Sequence, residues 1–98
     1  LADTVKTLCN ITDNFKPGET YNIGGNEYHS IEELSNTVLK ITGADAKLVS
    51  YRDSEILTTK IKKVDTSKAL AHLKHINSYS LEDGMRLTYS WMKKVYER

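Results

Sequence analysis

The chain has 98 residues, a net charge of +1, a hydrophobic fraction of 39% and a charged fraction of 28%. These values are typical of a globular domain and exclude a disordered chain. The basic residues are scattered, which gives no footprint for nucleic acid, and no apolar run approaches the roughly 20 residues that span a bilayer. The single cysteine, Cys9, excludes an internal disulfide framework and favours a reducing, cytoplasmic compartment.

A helix and a short strand are predicted at the start of the chain. Asp3 can cap the helix, in which apolar residues recur at helical spacing. Cys9 lies on that apolar stripe and is interpreted as a small core residue. Pro17-Gly18 ends the helix and turns the chain. Tyr21-Asn22-Ile23 is then the first strand candidate, and two glycines end it.

The next pair of predicted elements is a capped helix and a second strand. Ser30 and Glu33 form a capping box, an apolar stripe follows, and Gly43 stands at the C-terminal position. Residues Lys47–Tyr51 have the composition of a strand. Two strands joined by a helix make a βαβ unit, whose crossover is right-handed and whose strands are parallel.

The remainder of the chain predicts a weak third strand over 59–64 and two helices. Asp65 caps a short helix, and Ser80 with Asp83 caps a longer one in which Trp91 is interpreted as a packing anchor. The predicted fold is therefore α/β, with a two- to three-stranded, mainly parallel sheet and about four helices in the order α-β-α-β-(β)-α-α. We expect residues 1–98 to form a single domain or subdomain.

A phosphate site is one interpretation of this arrangement. In a parallel sheet, ligands bind beyond the carboxyl ends of the strands, which here are Gly24-Gly25-Asn26 and Arg52-Asp53. Ser30 opens the crossover helix, so its free backbone amides point towards the same edge. A packed turn, a plain N-cap and a solvated arginine are the alternative.

Other chemistries find little support in the sequence. The fingerprints G-x-G-x-x-G and G-x-x-x-x-G-K-[ST] are both absent. His72 and His75 could share a helix face, but no third ligand lies near them, so they are interpreted as surface histidines rather than a metal site. His29, next to Ser30, is interpreted as exposed. We predict no catalytic residue and no metal ligand in this chain.

Four segments in order carry a resemblance to a known family. "YNIGGNEYHSIEEL" is followed by "YRDSE", "VDTSKALAHL" and "SLEDGMRLTYSWMKK". Together they resemble the C-terminal part of the extended short-chain dehydrogenase/reductases, the family of NAD-dependent nucleotide-sugar epimerases and dehydratases that includes UDP-glucose 4-epimerase. The family often has Arg-Pro-Gly-Asp where this chain has Arg52-Asp53-Ser54-Glu55, so the arginine is kept and the Pro-Gly is not.

The resemblance implies that this chain is part of a larger parent enzyme, in which two regions bind different ligands. An N-terminal Rossmann domain would bind NAD and supply a Tyr-x-x-x-Lys pair, and we expect both the NAD site and that pair to be missing from this chain. The chain itself would close over the nucleotide-sugar substrate. By resemblance Arg52 would meet the diphosphate, and Ser30 and Glu55 would lie beside the nucleotide.

The predicted function is therefore nucleotide-sugar binding by a portion of an epimerase or 4,6-dehydratase that is inactive alone. The chain opens on Leu1 rather than methionine, which favours the inside of a longer protein. The expected partner is the missing Rossmann domain, and without it we expect self-association. The alternative is an independent α/β protein-interaction module with no catalytic role.

Overall fold

A computed structural model describes residues 1–57 and 59–97 of the chain. It contains four α-helices and one short 3-10 helix; no strand occurs among the described residues, of which 52% are helical. The α-helices are α1 (Ala2–Asn14), α2 (Ile31–Thr42), α3 (Ser67–His72) and α4 (Leu81–Tyr96), and the 3-10 helix is Ala46–Leu48.

The chain divides into two compact units, each made of two separate stretches. The first unit comprises Leu1–Glu27 and Thr59–Tyr79, and therefore holds α1 and α3. The second unit comprises Tyr28–Thr58 and Ser80–Arg98, and holds α2 and α4.

The first unit contains every residue that is classed as buried in the described chain. Ala69 and Leu73 are fully buried apolar residues, and Thr7 and His75 are buried polar ones. The helix predicted after Asp65 is confirmed as α3, although Thr66 is the N-cap and the Asp65 carboxylate accepts a hydrogen bond from the Ser67 backbone N–H at 2.9 Å.

Local sequence signals determine the helices of the second unit. The Ser30–Glu33 capping box at the start of α2 is confirmed, and Gly43 ends the helix in the left-handed region with φ 69°. The Ser80–Asp83 box likewise opens α4. Since α2 and α4 each have one apolar face, they pack against each other, and this is the main helix–helix contact described in the unit.

The α/β prediction is wrong, because the three predicted strands form no sheet. Tyr21–Ile23 and 59–64 are irregular, and Lys47–Tyr51 begins with the 3-10 helix instead of a strand. The βαβ unit, its right-handed crossover and the edge of a parallel sheet are therefore absent from the described chain.

The division into units supplies a physical reason for this difference. Tyr21–Ile23 belongs to the first unit and Val49–Tyr51 to the second, so the two predicted strands are not grouped together. Two short strands have little stability without further partners. The first segment is held by side chains instead: the Gly24 carbonyl bonds to the ring of His75 at 2.9 Å, and the Asn22 amide donates to the Asp65 carbonyl at 3.4 Å.

None of the helices in the described chain is both long enough and apolar enough to cross a membrane.

Candidate functional site

The three predicted substrate-binding residues, Ser30, Arg52 and Glu55, all belong to the second unit. The Ser30 hydroxyl is used in the helix cap, where its Oγ accepts from the Glu33 backbone N–H at 3.0 Å. In return, Glu33 Oε2 accepts from the Ser30 backbone N–H at 2.7 Å. Ser30 therefore fixes the first turn of α2, and one of the amides expected to meet a phosphate already binds a carboxylate.

The start of α2 is negatively charged. Glu32 and Glu33 both lie in its first turn, and His29 Nδ1 is 3.8 Å from Glu33 Oε2. Carboxylates complement the positive end of the helix dipole, so the protein's own side chains supply the anion there. A phosphate at this position would have to displace Glu33 or tolerate its charge.

Arg52 and Glu55 lie on an irregular stretch that follows the 3-10 helix and runs to a turn at Ile56–Leu57. Both side chains are exposed, and neither has a hydrogen bond or ion pair with the rest of the described chain. Leu57 has a φ of 70°, a backbone conformation that non-glycine residues seldom adopt. No hydrogen bond or ion pair between described residues joins Arg52, Glu55 and Ser30.

A buried polar network occupies the first unit. His75 Nδ1 lies 2.7 Å from Thr7 Oγ1, and His75 Nε2 lies 2.9 Å from the Gly24 carbonyl oxygen. Thr7 Oγ1 also lies 3.0 Å from the Asp3 carbonyl oxygen, so its one proton has two acceptors within reach. Thr7 is 1% exposed and His75 is 4% exposed, so these bonds replace water almost completely.

Asp3 anchors the segment after α3 to α1. Its Oδ2 accepts from the backbone N–H groups of Ser78 at 2.9 Å and Tyr79 at 3.1 Å. Desolvation raises the pKa of Asp3, but those two N–H bonds outweigh it and, with the nearby charge of His75, hold the pKa below its ordinary value. Asp3 was predicted to cap α1, but the N-cap is Leu1 and the carboxylate makes this long-range contact.

A second polar cluster surrounds Tyr21. Its hydroxyl accepts from the Lys16 backbone N–H at 3.1 Å and is also 3.1 Å from His72 Nδ1. Since the hydroxyl already accepts from Lys16, it can donate to the imidazole nitrogen. Glu19 and Lys68 form an ion pair in the same unit, and hydrogen bonding and charge from Lys68 lower the pKa of Glu19. These contacts connect the 16–21 loop to α3.

Three interpretations of single residues are corrected by these contacts. His75 is buried rather than on the surface, and Cys9, expected in the core, is exposed. Trp91 meets Tyr96 edge to face but remains 56% exposed, so it is not a buried anchor. Thr7 was not predicted as a buried polar residue, although a threonine four residues after Asp3 can back-bond to its carbonyl.

The expectation that this chain lacks a Tyr-x-x-x-Lys pattern is also wrong. Tyr89 and Lys93 have that spacing, and both lie on α4. Lys93 Nζ is 5.2 Å from the centroid of the Tyr89 ring, so the ammonium interacts with the ring face. Lys93 Nζ is also 4.0 Å from Glu97 Oε2. The spacing is the ordinary i, i+4 neighbourhood of an exposed helix.

Within the part of the chain that the structure describes, no group of three histidine, cysteine, aspartate or glutamate side chains is placed to hold a metal ion. No protein-family model, curated protein or solved structure matches this chain.

Proposed function

We propose that the chain is the nucleotide-sugar-binding, C-terminal portion of an NAD-dependent sugar epimerase or dehydratase and has no activity alone. The four resembling segments support this family, and Arg52 is the structural observation that carries the binding role. Its guanidinium is exposed and has no acidic partner in the described chain. A guanidinium presents paired donors that match the oxygens of a diphosphate and stays charged at any working pH.

The corrected fold changes how such a ligand would be held. With no sheet edge in the described chain, the diphosphate would depend on Arg52 more than on the amides of α2, whose first turn is acidic. Ser30 would act by fixing the start of α2, and Glu55 would lie beside the nucleotide on the same irregular stretch as Arg52. This arrangement leaves the diphosphate with a single strong cationic contact.

A partner that carries NAD fits the exposure of large apolar side chains. In the second unit Ile31 is 81% exposed, Leu48 78% and Ile56 92%. Apolar surface of this kind marks interfaces or promotes association. A Rossmann domain would cover part of it in the parent enzyme, and the chain alone is expected to self-associate.

The proposal is tested by titrating the isotope-labelled chain with UDP, UDP-glucose and dTDP-glucose and following the backbone amides by NMR. We expect shifts centred on residues 50–56. Arg52→Ala should weaken binding by roughly 1.5–3 kcal/mol, which is the range for hydrogen bonds to charged groups. Arg52→Lys should recover part of the loss, since it restores charge without the paired donors.

Arg86→Ala is the matched control. Arg86 belongs to the same unit but already donates to Glu82 Oε1 at 2.6 Å, so its removal should leave nucleotide affinity unchanged. If the wild-type chain and Arg52→Ala bind the nucleotides with equal affinity, Arg52 is a solvated surface residue that does not contact the ligand. Turnover of any of these nucleotide-sugars by the chain with added NAD would contradict the claim that it is inactive alone.

The same exposed apolar side chains favour a second candidate, a helical protein-interaction module without a nucleotide-sugar ligand. It predicts no amide shifts with any nucleotide-sugar and concentration-dependent association that Arg52→Ala leaves unchanged. The titration and the control variants above therefore distinguish the two functions.

A further inference from the structure

His75 is the one ionisable side chain classed as buried among the described residues. Its ring joins three stretches of the first unit: α1 through Thr7, the Gly24 corner (residues 20–25) through the Gly24 carbonyl, and its own stretch after α3. The two bonds that do this, at 2.7 and 2.9 Å, engage both ring nitrogens. The protonation state of His75 therefore bears on how these stretches are connected.

The bond to Gly24 determines where the neutral ring carries its proton. A carbonyl oxygen can only accept, so Nε2 must be protonated for the 2.9 Å contact to be a hydrogen bond. The opposite neutral tautomer would set a nitrogen lone pair against an oxygen lone pair at that distance. Neutral His75 is therefore the Nε2–H form, and its Nδ1 accepts from the Thr7 hydroxyl.

Thr7 has one hydroxyl proton and two acceptors within reach, His75 Nδ1 at 2.7 Å and the Asp3 carbonyl at 3.0 Å. In the neutral state the proton is committed to Nδ1, so the bond to Asp3 is not made. When Nδ1 takes a proton from solvent, the ring donates to Thr7 Oγ1, and the hydroxyl turns its own proton to the Asp3 carbonyl. Each polar atom then has a partner in either state.

The charged surroundings of His75 differ between the elements that pack on it. From α1, the Asp3 carboxylate interacts electrostatically with the ring, and its lowered pKa keeps it ionised between pH 5 and 8. From the Gly24 corner, the facing group is an uncharged carbonyl. Along its own stretch, the adjacent Lys74 is exposed and adds a cation.

We propose that His75 is a proton-reversible latch that keeps the Gly24 corner attached to α1, and that the Thr7 hydroxyl makes the latch work in both protonation states. Protonation adds one proton at Nδ1, reverses the direction of the Thr7–His75 bond and rotates the hydroxyl. The bond from Nε2 to Gly24 persists throughout. The first unit therefore keeps this connection whether or not the ring carries the second proton.

Thr7→Val tests the latch, because it keeps the side-chain shape and removes the hydroxyl. Without that oxygen, the imidazolium Nδ1–H is buried with no acceptor, and losing a bond from a charged donor costs more than losing one to a neutral ring. The drop in the folded-to-unfolded ratio caused by Thr7→Val, relative to wild type, should be roughly tenfold larger at pH 5 than at pH 8. Thr7→Ser, which retains a hydroxyl, should show no such pH difference.

His75→Phe completes the test as a second background. In the His75→Phe background the loss of stability caused by Thr7→Val should be the same at pH 5 and pH 8. The contributions of His29 and His72 to the pH dependence cancel in this comparison, because every variant contains both residues. The ring nitrogens of His75 in the wild-type chain should give the NMR shifts of the Nε2–H tautomer at pH 8. An Nδ1–H tautomer at pH 8, or an equal effect of Thr7→Val at both pH values, would overturn the proposal, and the wild-type spectrum decides it if Thr7→Val does not fold.

Discussion

The two units of the chain are held by different kinds of interaction. All four buried residues of the described chain, Thr7, Ala69, Leu73 and His75, lie in the first unit. In the second unit α2 and α4 pack on each other with half-buried side chains, two capping boxes and surface ion pairs. The first unit therefore has a buried centre fixed by long-range polar bonds, whereas the second is held by helix packing, local caps and surface ion pairs.

This difference determines which changes should matter in each unit. Removal of a buried side chain leaves a cavity and lost contacts, which no neighbour replaces. Removal of a cap or an exposed ion pair costs less, because water takes over part of the interaction. We therefore expect the loss of stability to be larger for variants at buried residues of the first unit than for variants at caps or ion pairs of the second.

Leu73→Ala should have the largest effect on stability. Leu73 is fully buried next to Ala69, so its truncation should lower the free energy of unfolding by about 2–5 kcal/mol. Denaturant titration of the whole chain measures this. Leu70→Ala, in the adjoining helix at 50% exposure, is the matched control and should cost about 1 kcal/mol or less. Similar losses in both variants would show that the first unit has no distinct core.

The same contrast explains how much could be predicted from the sequence. The caps of α2 and α4 involve residues three positions apart, so the pattern of the sequence alone identified them. The latch joins Thr7 to His75 across 68 positions, and no local pattern indicates such a pair. His75 was therefore interpreted as exposed. Tyr21–Ile23 was interpreted as a strand, but no second strand pairs with it in the described chain.

The candidate site likewise has one part that a local sequence pattern predicts and one part that depends on the fold. Ser30 was identified by its capping pattern, and its hydroxyl and amide are both used in that cap. The convergence of Ser30 with Arg52 depended on a sheet, which the described chain lacks. The proposed role of Arg52 therefore depends on the resemblance and on an exposed guanidinium with no acidic partner in the described chain, rather than on a fold-level rule.

Ser30→Ala should have a smaller effect than Leu73→Ala, and the change should be local to the second unit. Loss of the N-cap should lower stability by about 1 kcal/mol, and amide exchange in the first turn of α2 should accelerate. Ser30→Asp retains an acceptor and should restore most of the stability. Ser50→Ala, an exposed serine in the same unit, should change nothing measurable. Unchanged exchange in Ser30→Ala would mean that packing against α4, rather than the cap, holds this turn.

The smallest effects should come from the partly exposed carboxylates of Asp3 and Glu82, whose contributions should respond differently to salt. Hydrogen bonding from Lys40 and Arg86 lowers the pKa of Glu82 in the second unit, whereas the Ser78 and Tyr79 backbone amides overcome desolvation to lower that of Asp3 in the first. A carboxyl whose pKa is lowered by folding stabilises the protein above its unfolded pKa, near 4, and this contribution is lost as the pH falls through the folded value. Both contributions should therefore be present at pH 6 and should be lost as the pH falls through the lowered pKa of each carboxyl.

High salt should separate them at pH 6, because it screens ion pairs between exposed side chains but leaves bonds from backbone amides largely intact. Glu82→Gln should reduce stability at low ionic strength and make almost no difference in 1 M NaCl, a strongly screening concentration. Asp3→Asn should reduce stability by a similar amount at both ionic strengths, since an amide oxygen is a weaker acceptor for the Ser78 and Tyr79 N–H groups. Equal salt sensitivity of the two variants would show that Asp3 acts by charge alone, and not through its bonds from the Ser78 and Tyr79 backbone amides.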